Sequence, residues 1–361
     1  MAVLRIGILT SGGDCSGLNA AMRGAVKACY DRFGEKNTQI IGIKNGYYGL
    51  INGTAKEMKP SDFSGILTLG GTMLGTKRQS FKMLTSVGED GVDKIKMMKN
   101  TYKDLKLDCL ITLGGNGTHK TANLLSSEGL NIIGLPKTID NDIYGTDVTF
   151  GFHTALETAT GVIDRLHTTA ASHSRVILAE IMGNKTGWLT LYSGIAGGAD
   201  VIIIPECPYD IEKVIEAVED RAAAGKKFSI IAVAEGAYDK DEAKLKRKDR
   251  SKLREEQGIK TATERIAYQI EASTGIESRV CVPGHMLRGG TPSAYDRYLS
   301  TAIGARAAKL IESAAFGYSV AVKNEIITEN KLPDIAGISK PVPEDSQAVK
   351  TAKQIGISFG A

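Results

Sequence analysis

Two carboxylates lie close together in the segment 135–142, which reads LPKTIDND. The segment follows an apolar run typical of a buried strand, and parallel sheets carry reactive groups at the ends of such strands. Two residues apart in an extended chain, Asp140 and Asp142 point the same way. One can accept a hydroxyl proton while the other helps to hold Mg²⁺, as phosphoryl transfer requires. An Asx-rich turn with solvated acids is the structural alternative.

Three glycine-rich turns also have the composition of phosphate-binding loops. They span residues 10–19 (TSGGDCSGLN), 70–78 (GGTMLGTKR) and 113–119 (LGGNGTH). Glycine lets phosphate oxygens approach backbone N–H groups, and a helix N-terminus adds favourable partial charge. None has the spacing of a P-loop or of a dinucleotide-binding loop. One such turn has a purely structural explanation, but three in one chain, one ending in Lys77 and Arg78, favour a polyphosphate ligand.

Several cations suited to a phosphorylated substrate follow further along the chain. They are Arg175, Arg279, His285 and Arg288, the last two within PGHMLRGG. A guanidinium group can bind two phosphate oxygens at once, although any one of these arginines could equally form a surface ion pair.

Short apolar runs supply the elements that position these residues. The runs are Val3–Leu9, Ile40–Ile43, Ile66–Leu69, Cys109–Leu113, Ile132–Leu135, Val176–Ile181, Val201–Ile204, Ser229–Ala234, Val280–Val282 and Tyr318–Val322. Most lack polar alternation, as expected of strands buried on both faces, and residues 153–170 between two of them carry a helical apolar stripe. The pattern predicts a mainly parallel, doubly wound α/β fold. About ten strands exceed one sheet, so we expect two such units joined near residue 150.

The segment 239–264 departs from this pattern because it is densely charged, with both signs mixed (KLKRKDRSKLREEQ). We interpret it as a solvated surface helix or insertion, with a nucleic-acid or partner contact as the alternative.

Composition narrows the functional classes. The chain has 361 residues and a net charge of only +4, which does not suggest a protein that coats nucleic acid or an anionic membrane. Its five scattered cysteines include no C-x-x-C pair, so neither a disulfide framework nor a zinc site is expected. With no signal peptide and no apolar run near the length of a membrane span, a cytoplasmic location is predicted.

Taken in order, the motifs resemble those of the phosphofructokinase family over nearly the whole chain. They are LTSGGD, GGT.LG..R, GG.G, P.TIDND, IDR, SH.R, MG, IAGGA, AEG and GH..RGG. The resemblance implies two doubly wound, mainly parallel Rossmann-like sheets with the active site in the cleft between them. It implies a phosphoryl-donor domain at 1–150 plus about 288–337, and a fructose 6-phosphate domain at 151–287 plus about 338–361, which carries the charged insertion.

The family's roles carry over position by position. Asp140 would take the proton of the sugar hydroxyl, with Thr138, Lys137 and Lys185 completing the catalytic set, and Asn116 and Asp142 would act at Mg²⁺. The residues expected at the donor are Gly13, Tyr47, Lys77, Arg78, Gly115, Asn116, Gly117 and Thr118. Those expected at fructose 6-phosphate are Thr138, Ile139, Asp140, Arg175, Met182, Gly183, Asn184, Glu235, Arg279, His285 and Arg288. Arg175 and Arg279 would reach a neighbouring subunit's site, so the family implies a homo-oligomer, a tetramer or a dimer.

Three departures from the family pattern bear on the activity. Asn116 stands where many members have an aspartate that serves the metal. Asn184 and Lys185 follow MG where an arginine is common, so Lys185 is the expected substitute cation. Lys137 is typical of pyrophosphate-using members and Gly117 of ATP users, and we let Gly117 decide in favour of ATP. The alternatives are the same transfer from pyrophosphate, and a catalytically weak protein that binds sugar phosphate or nucleotide.

Overall fold

The computed structural model describes residues 3–86, 93–256 and 258–361, so Gln257 of the charged segment lies outside the described residues. The chain divides into two compact units, each made of two stretches of sequence. Unit 1 comprises Met1–Thr154 and Arg288–Lys340, and unit 2 comprises Ala155–Leu287 and Pro341–Ala361.

Unit 1 is built on a seven-stranded sheet. Its strands are β1 (Leu4–Thr10), β2 (Thr38–Ile43), β3 (Ala55–Met58), β4 (Cys109–Gly114), β5 (Ile132–Pro136), β10 (Tyr318–Lys323) and β11 (Ile326–Lys331). They lie in the order β11-β10-β5-β4-β1-β2-β3. The five central strands are parallel, while β3 and β11 pair antiparallel at the two edges. Every residue of β4 and β5 is buried, as strands covered on both faces require.

Unit 2 contains a four-stranded sheet in which all strands are parallel. The strands are β6 (Val176–Ile181), β7 (Val201–Ile203), β8 (Ser229–Ala234) and β9 (Ser278–Cys281), in the order β7-β8-β6-β9. β6 and β8 are buried throughout. The prediction of two mainly parallel α/β sheets is therefore confirmed.

Helices connect the strands, as parallel pairing demands. The α-helices are α1 (Leu18–Phe33), α2 (Tyr47–Asn52), α3 (Phe81–Thr85), α4 (Lys94–Asp104), α5 (Asn116–Ser127), α6 (Phe152–His173), α7 (Trp188–Ala196), α8 (Ile211–Ala223), α9 (Arg247–Glu256), α10 (Ala262–Thr274), α11 (Ala294–Glu312), α12 (Leu332–Ile335) and α13 (Gln347–Gln354). Short 3₁₀ helices cover Glu35–Asn37, Pro60–Phe63, Glu242–Lys244 and Gly284–Arg288. In the part of the chain that is described, none of the helices combines the length and the apolarity needed to cross a membrane.

Two details of the strand prediction are wrong. The run Ile66–Leu69 forms a turn, closed by a hydrogen bond from the Leu69 N–H to the Ile66 carbonyl, because positive-φ Gly65 and Gly71 bracket it and Leu69 faces solvent. The edge strands β3 and β11 were not predicted. Both contain charged residues, and Met58 is the one buried residue of the two strands, so neither forms a continuous apolar run.

Candidate active site

The three glycine-rich turns meet at the carboxyl ends of the central strands of the seven-stranded sheet. Two of them follow β1 and β4, which are adjacent and parallel, so the two turns lie next to each other at the carboxyl ends of these strands. The Thr118 hydroxyl donates to the Ser11 carbonyl at 3.4 Å, which links the first turn to the third. Thr76 of the second turn donates to the Gly12 carbonyl at 2.6 Å. The fold thus assembles the three turns into one backbone-lined site.

The third turn presents the N-terminus of α5. Gly115 is its N-cap residue in extended conformation, and no side chain caps the helix. A Cβ added at Gly117 would have no neighbouring atom of the described residues within 4 Å. Packing therefore does not require glycine at residue 117. The space above it is open to a ligand that approaches the backbone N–H groups at the N-terminus of α5.

Lys137 follows β5, the next strand in the sheet, and its ammonium group reaches the first turn. Its Nζ donates to the Gly13 carbonyl, and its backbone N–H bonds the Gly114 carbonyl at 3.0 Å. The side chain is 4% exposed. Burial lowers the pKa of Lys137, whereas Cys15, Asp140 and Asp14 act in the opposite sense. A buried ammonium beside a glycine turn is placed to compensate phosphate charge.

Asp140 lies in a turn that local hydrogen bonds hold in shape. Its backbone N–H donates to the Thr138 hydroxyl at 3.1 Å, and the Thr149 hydroxyl donates to the Thr138 carbonyl at 2.7 Å. Asn141 has φ 50° and accepts from the Thr149 N–H at 3.1 Å. The assumption of an extended chain between Asp140 and Asp142 is therefore wrong, because a left-handed residue separates them. Ile139, just before Asp140, is buried, and so is Asn141.

Asn116 and Asp142 form a pair of oxygen-bearing side chains. The Asn116 Nδ2 donates to the Asp142 carbonyl at 3.1 Å and to its Oδ2 at 3.0 Å, which leaves the buried Asn116 Oδ1 without a partner among the described residues. No cluster of three His, Cys, Asp or Glu side chains suited to a metal occurs in those residues. A hard cation here would take oxygen ligands from this pair and complete its shell with phosphate and water, as Mg²⁺ does.

The tyrosine expected at the donor does not face a ligand directly. Tyr47 is fully buried, and its hydroxyl donates to the Thr118 carbonyl at 3.0 Å, so it supports α5 from behind. Its exposed neighbour Tyr48, which belongs to none of the motifs, lies under Lys77, whose ammonium nitrogen is 3.8 Å from the ring centroid. Lys77 and Arg78 are both exposed.

Arg288 lies against the first glycine turn. A Cβ built on Gly13 would come within 2.7 Å of the Arg288 Nη1, so glycine at this position leaves room for the guanidinium. Two residues predicted for different ligands, the donor and the sugar phosphate, are thus neighbours within unit 1.

The buried His119, which was not among the predicted site residues, supports the third glycine-rich turn. His119 of α5 contacts the Gly115 carbonyl through Nδ1 at 3.0 Å and the Ser319 hydroxyl through Nε2 at 2.8 Å. Burial lowers the pKa of His119 to about 4, so the ring is neutral at physiological pH. Its place two residues after the GGNG turn is the signal that could have singled it out.

In unit 2 the residues predicted for the sugar phosphate follow two adjacent parallel strands. Met182, Gly183 and Asn184 come after β6, and Glu235 comes after β8. The Glu235 N–H donates to the Ile181 carbonyl at 2.8 Å, and the Gly236 N–H to the Gly183 carbonyl at 3.2 Å. A Cβ on Gly236 would lie 2.1 Å from the Asn184 carbonyl oxygen, so the two turns approach as closely as they do only because residue 236 is glycine.

The remaining predicted cations of unit 2 lie at its surface. Arg175 and Arg279 both pair with Glu277, and Arg279 also lies 3.7 Å from a Glu271 carboxylate oxygen. The side-chain hydrogen bond from Arg175 lowers the pKa of Glu277. Lys185 and His285 are exposed. Within one chain the two arginines are therefore held by a carboxylate, and their reach into a neighbouring subunit remains a prediction.

The chain was compared with protein families, with curated proteins and with solved structures. The family model described as phosphofructokinase matches residues 5–311. An ATP-dependent 6-phosphofructokinase of Spirochaeta thermophila is 50% identical over 99% of this chain and 98% of its own, and ATP-dependent 6-phosphofructokinase 3 of Bacteroides thetaiotaomicron is 44% identical over 99% and 100%. The crystal structure of Pichia pastoris phosphofructokinase in the T-state aligns with a TM-score of 0.79 at 29% identity, covering 99% of this chain and 37% of that one. On the strength of these matches along its whole length, the chain belongs to the phosphofructokinase family.

Proposed function

We propose that this chain transfers the γ-phosphoryl group of ATP to the free primary hydroxyl of fructose 6-phosphate, giving fructose 1,6-bisphosphate and ADP, the committed step of glycolysis. The main observation behind the proposal is that three glycine turns, Lys137 and the Asp140 turn lie together at the carboxyl ends of the central strands. Whole-length relatives named ATP-dependent 6-phosphofructokinase support it.

In the proposed reaction the sugar oxygen forms a bond to the γ-phosphorus as the bond to the bridging oxygen of ADP breaks. Asp140 accepts the hydroxyl proton, a contribution of about 10²–10⁴ in rate for a general base. Lys137 offers its buried ammonium to the charge on the transferring group, and Thr138 shapes the turn that carries Asp140. Lys185 is the proposed second cation, although lysine lacks the planar fork of arginine.

Family membership implies a divalent metal, and we propose Mg²⁺. The unpartnered Asn116 Oδ1 and the adjacent Asp142 carboxylate fit such an ion. When bound, the ion would neutralise charge on the donor phosphates. Asn116 holds one carboxylate oxygen of Asp142 by a hydrogen bond, so it orients that ligand even though it adds no charge of its own.

The open space at Gly117 supports ATP as the donor. A nucleotide brings an α-phosphate and a ribose close to the turn, and no described atom within 4 Å of a Cβ at residue 117 competes for that volume. Lys137 would help either donor and excludes neither. Pyrophosphate is accordingly the less favoured alternative.

We assign donor binding to unit 1 and the sugar phosphate chiefly to unit 2, through Met182, Asn184, Glu235 and His285. We further propose a homo-oligomer, a tetramer or a dimer, in which Arg175 and Arg279 serve a neighbouring subunit's site. The exposure of Arg279 at the surface of unit 2, where its side chain is 54% exposed, supports this. Cytoplasmic location stays a prediction.

The test is product formation from fructose 6-phosphate and Mg²⁺, with ATP and pyrophosphate supplied in separate reactions. Fructose 1,6-bisphosphate would be measured by a coupled aldolase assay, with omission of each component as the control. We expect turnover with ATP. Pyrophosphate turnover at least tenfold more efficient than that with ATP would reverse the donor assignment, and no turnover with either donor would favour a protein that only binds these ligands.

A further inference from the structure

The charged segment 239–264 is not a uniformly solvated surface element, because the side chain of one of its cations is mostly shielded from solvent. Helix α9 within it is strongly polar, and Lys252 is 76% exposed. Arg254, half a turn further on, is only 11% exposed. A side chain of this kind is rarely buried without a fixed set of partners.

Those partners form a compact ion cluster. The Arg254 guanidinium binds Glu242 in a bidentate way, with Nε donating to Oε1 at 2.7 Å and Nη2 donating to Oε2 at 2.6 Å. Glu242 is 2% exposed and also lies 3.2 Å from Arg265, which pairs with Asp239. Two guanidinium groups thus face two carboxylates, so the cluster is neutral, as buried charges must be to avoid a large desolvation cost.

The same guanidinium reaches the turn that carries a predicted substrate residue. Arg254 Nη2 donates to the Ala237 carbonyl at 2.8 Å. Ala237 is two residues after Glu235, in the turn that ends β8, and its own N–H closes the turn by donating to the Ala234 carbonyl at 2.9 Å. Arg254 is therefore a direct support of this turn, contributed from a distant part of the sequence.

That turn is in contact with the neighbouring one after β6. The Gly236 N–H donates to the Gly183 carbonyl at 3.2 Å. Gly236 also approaches Asn184 so closely that the two turns are in direct backbone contact. A shift of residues 235–237 would therefore displace both the Glu235 carboxylate and the Met182–Asn184 turn. Small displacements of a binding constellation can cost substantial affinity even when the altered residue is remote.

We propose that Arg254 is a positioning residue for the sugar-phosphate site, and that the charged insertion exists to deliver it beneath the Glu235 turn. Arg254 acts through Glu242 and the Ala237 carbonyl and does not itself contact substrate. The inference rests on the proposed function, since it concerns affinity for fructose 6-phosphate.

Arg254→Met alone would leave two carboxylates, Asp239 and Glu242, facing the single Arg265 guanidinium. The main test therefore uses the double variant Arg254→Met with Glu242→Gln, which leaves Asp239 and Arg265 as a balanced pair. We expect the KM for fructose 6-phosphate to rise about 10- to 100-fold while the KM for ATP stays within about twofold. Arg254→Lys keeps the charge but loses the bidentate contact, so its KM should be intermediate. Lys252→Met, which removes one exposed cation from the same helix, should match the wild type.

Thermal unfolding would establish that each variant is folded, and calorimetric titration with fructose 6-phosphate would measure binding without turnover. A folded double variant with the wild-type KM for the sugar overturns the inference. So does a variant in which kcat and both KM values change together, because that outcome indicates a general structural role. If the wild-type protein neither binds nor phosphorylates fructose 6-phosphate, the proposed function fails and the inference fails with it.

Discussion

The residues predicted to bind the phosphoryl donor and those predicted to bind the sugar phosphate differ in kind. In unit 1 the turns predicted to bind phosphate are mostly backbone, linked by hydrogen bonds of Thr76 and Thr118 and supported by the buried Tyr47. In unit 2 the predicted sugar-phosphate contacts are side chains, and two of the arginines are partly exposed and engaged by Glu277.

This difference has a physical consequence. Backbone N–H groups in hydrogen-bonded turns are already oriented before a ligand arrives, so little conformational entropy remains to be lost on binding. Exposed arginines are mobile and must exchange one carboxylate partner for a phosphate. We therefore expect changes in unit 1 to act on the chemistry or the choice of donor, and changes in the unit 2 arginines to act on sugar affinity.

The largest expected effect is at Asp140. Asp140→Asn should lower kcat by about 10²–10⁴ while the KM for fructose 6-phosphate stays within a few fold, because the proton acceptor is lost and the turn is kept. Steady-state kinetics would measure both values. Asp104→Asn, an exposed change at the end of α4 in the same unit, should leave them unaltered. Unchanged turnover in Asp140→Asn would remove this residue from the mechanism.

The next effect concerns the open space in the donor turn. Gly117→Asp should raise the KM for ATP by about 100-fold or more, since juxtaposed like charges cost several kcal/mol. Gly117→Ala adds only the Cβ, which meets no described atom within 4 Å, and should change the KM much less. Equal effects of alanine and aspartate would mean that the added volume matters and the charge does not.

A smaller effect is expected at the two arginines of unit 2 predicted to bind the sugar phosphate. Arg175→Ala and Arg279→Ala should each raise the KM for fructose 6-phosphate by about 10- to 150-fold, the loss of one charge-assisted contact of about 1.5–3 kcal/mol. Arg165→Ala, which removes an exposed arginine of α6 bonded to its own helix, is the matched control.

The shared-site hypothesis has its own test with the same variants. At a low fructose 6-phosphate concentration, where each variant alone has little activity, mixing Arg279→Ala protein with Asp140→Asn protein should restore activity if hybrid oligomers contain one intact site. Hybrids that form, as seen by native mass spectrometry, yet stay inactive would speak against a site shared across an interface.

The smallest expected effect is on stability, through the histidine behind the donor turn. The pKa of His119 is lowered from 6.5 to about 4, so folding favours the neutral ring. Its contribution is complete above pH 6.5 and is lost as the pH falls towards 4, because the unfolded chain then binds the proton more readily. Between pH 7.5 and 5 the wild type should lose about 2 kcal/mol more unfolding free energy than His119→Gln.

Denaturant titrations at the two pH values would measure this difference. His173→Gln, at the exposed end of α6, provides the control and should keep the wild-type pH dependence. The same pH dependence in His119→Gln and in the wild type would show that the buried imidazole is not responsible for it.

Much of the fold and of the donor side was predictable because its signals are local. A buried parallel strand needs an uninterrupted apolar run, and Cys109–Leu113 and Ile132–Leu135 are such runs, followed at once by the GGNG turn and by Lys137. Strand adjacency then brings the ends of β1, β4 and β5 together. The residues nominated for these turns are therefore neighbours in the fold, whatever role each one has.

Other features depend on contacts between residues far apart in the sequence, and local sequence patterns do not predict such contacts. The run Ile66–Leu69 is as apolar as a short strand yet forms a turn, and the polar edges β3 and β11 pair because their neighbours offer free hydrogen-bonding groups. In a run of mixed charges, every arginine looks solvated. Arg254 is mostly shielded from solvent because the fold brings Glu242 and the Ala237 carbonyl around it. A guanidinium group is stable away from water only where it has such hydrogen-bonding and charged partners.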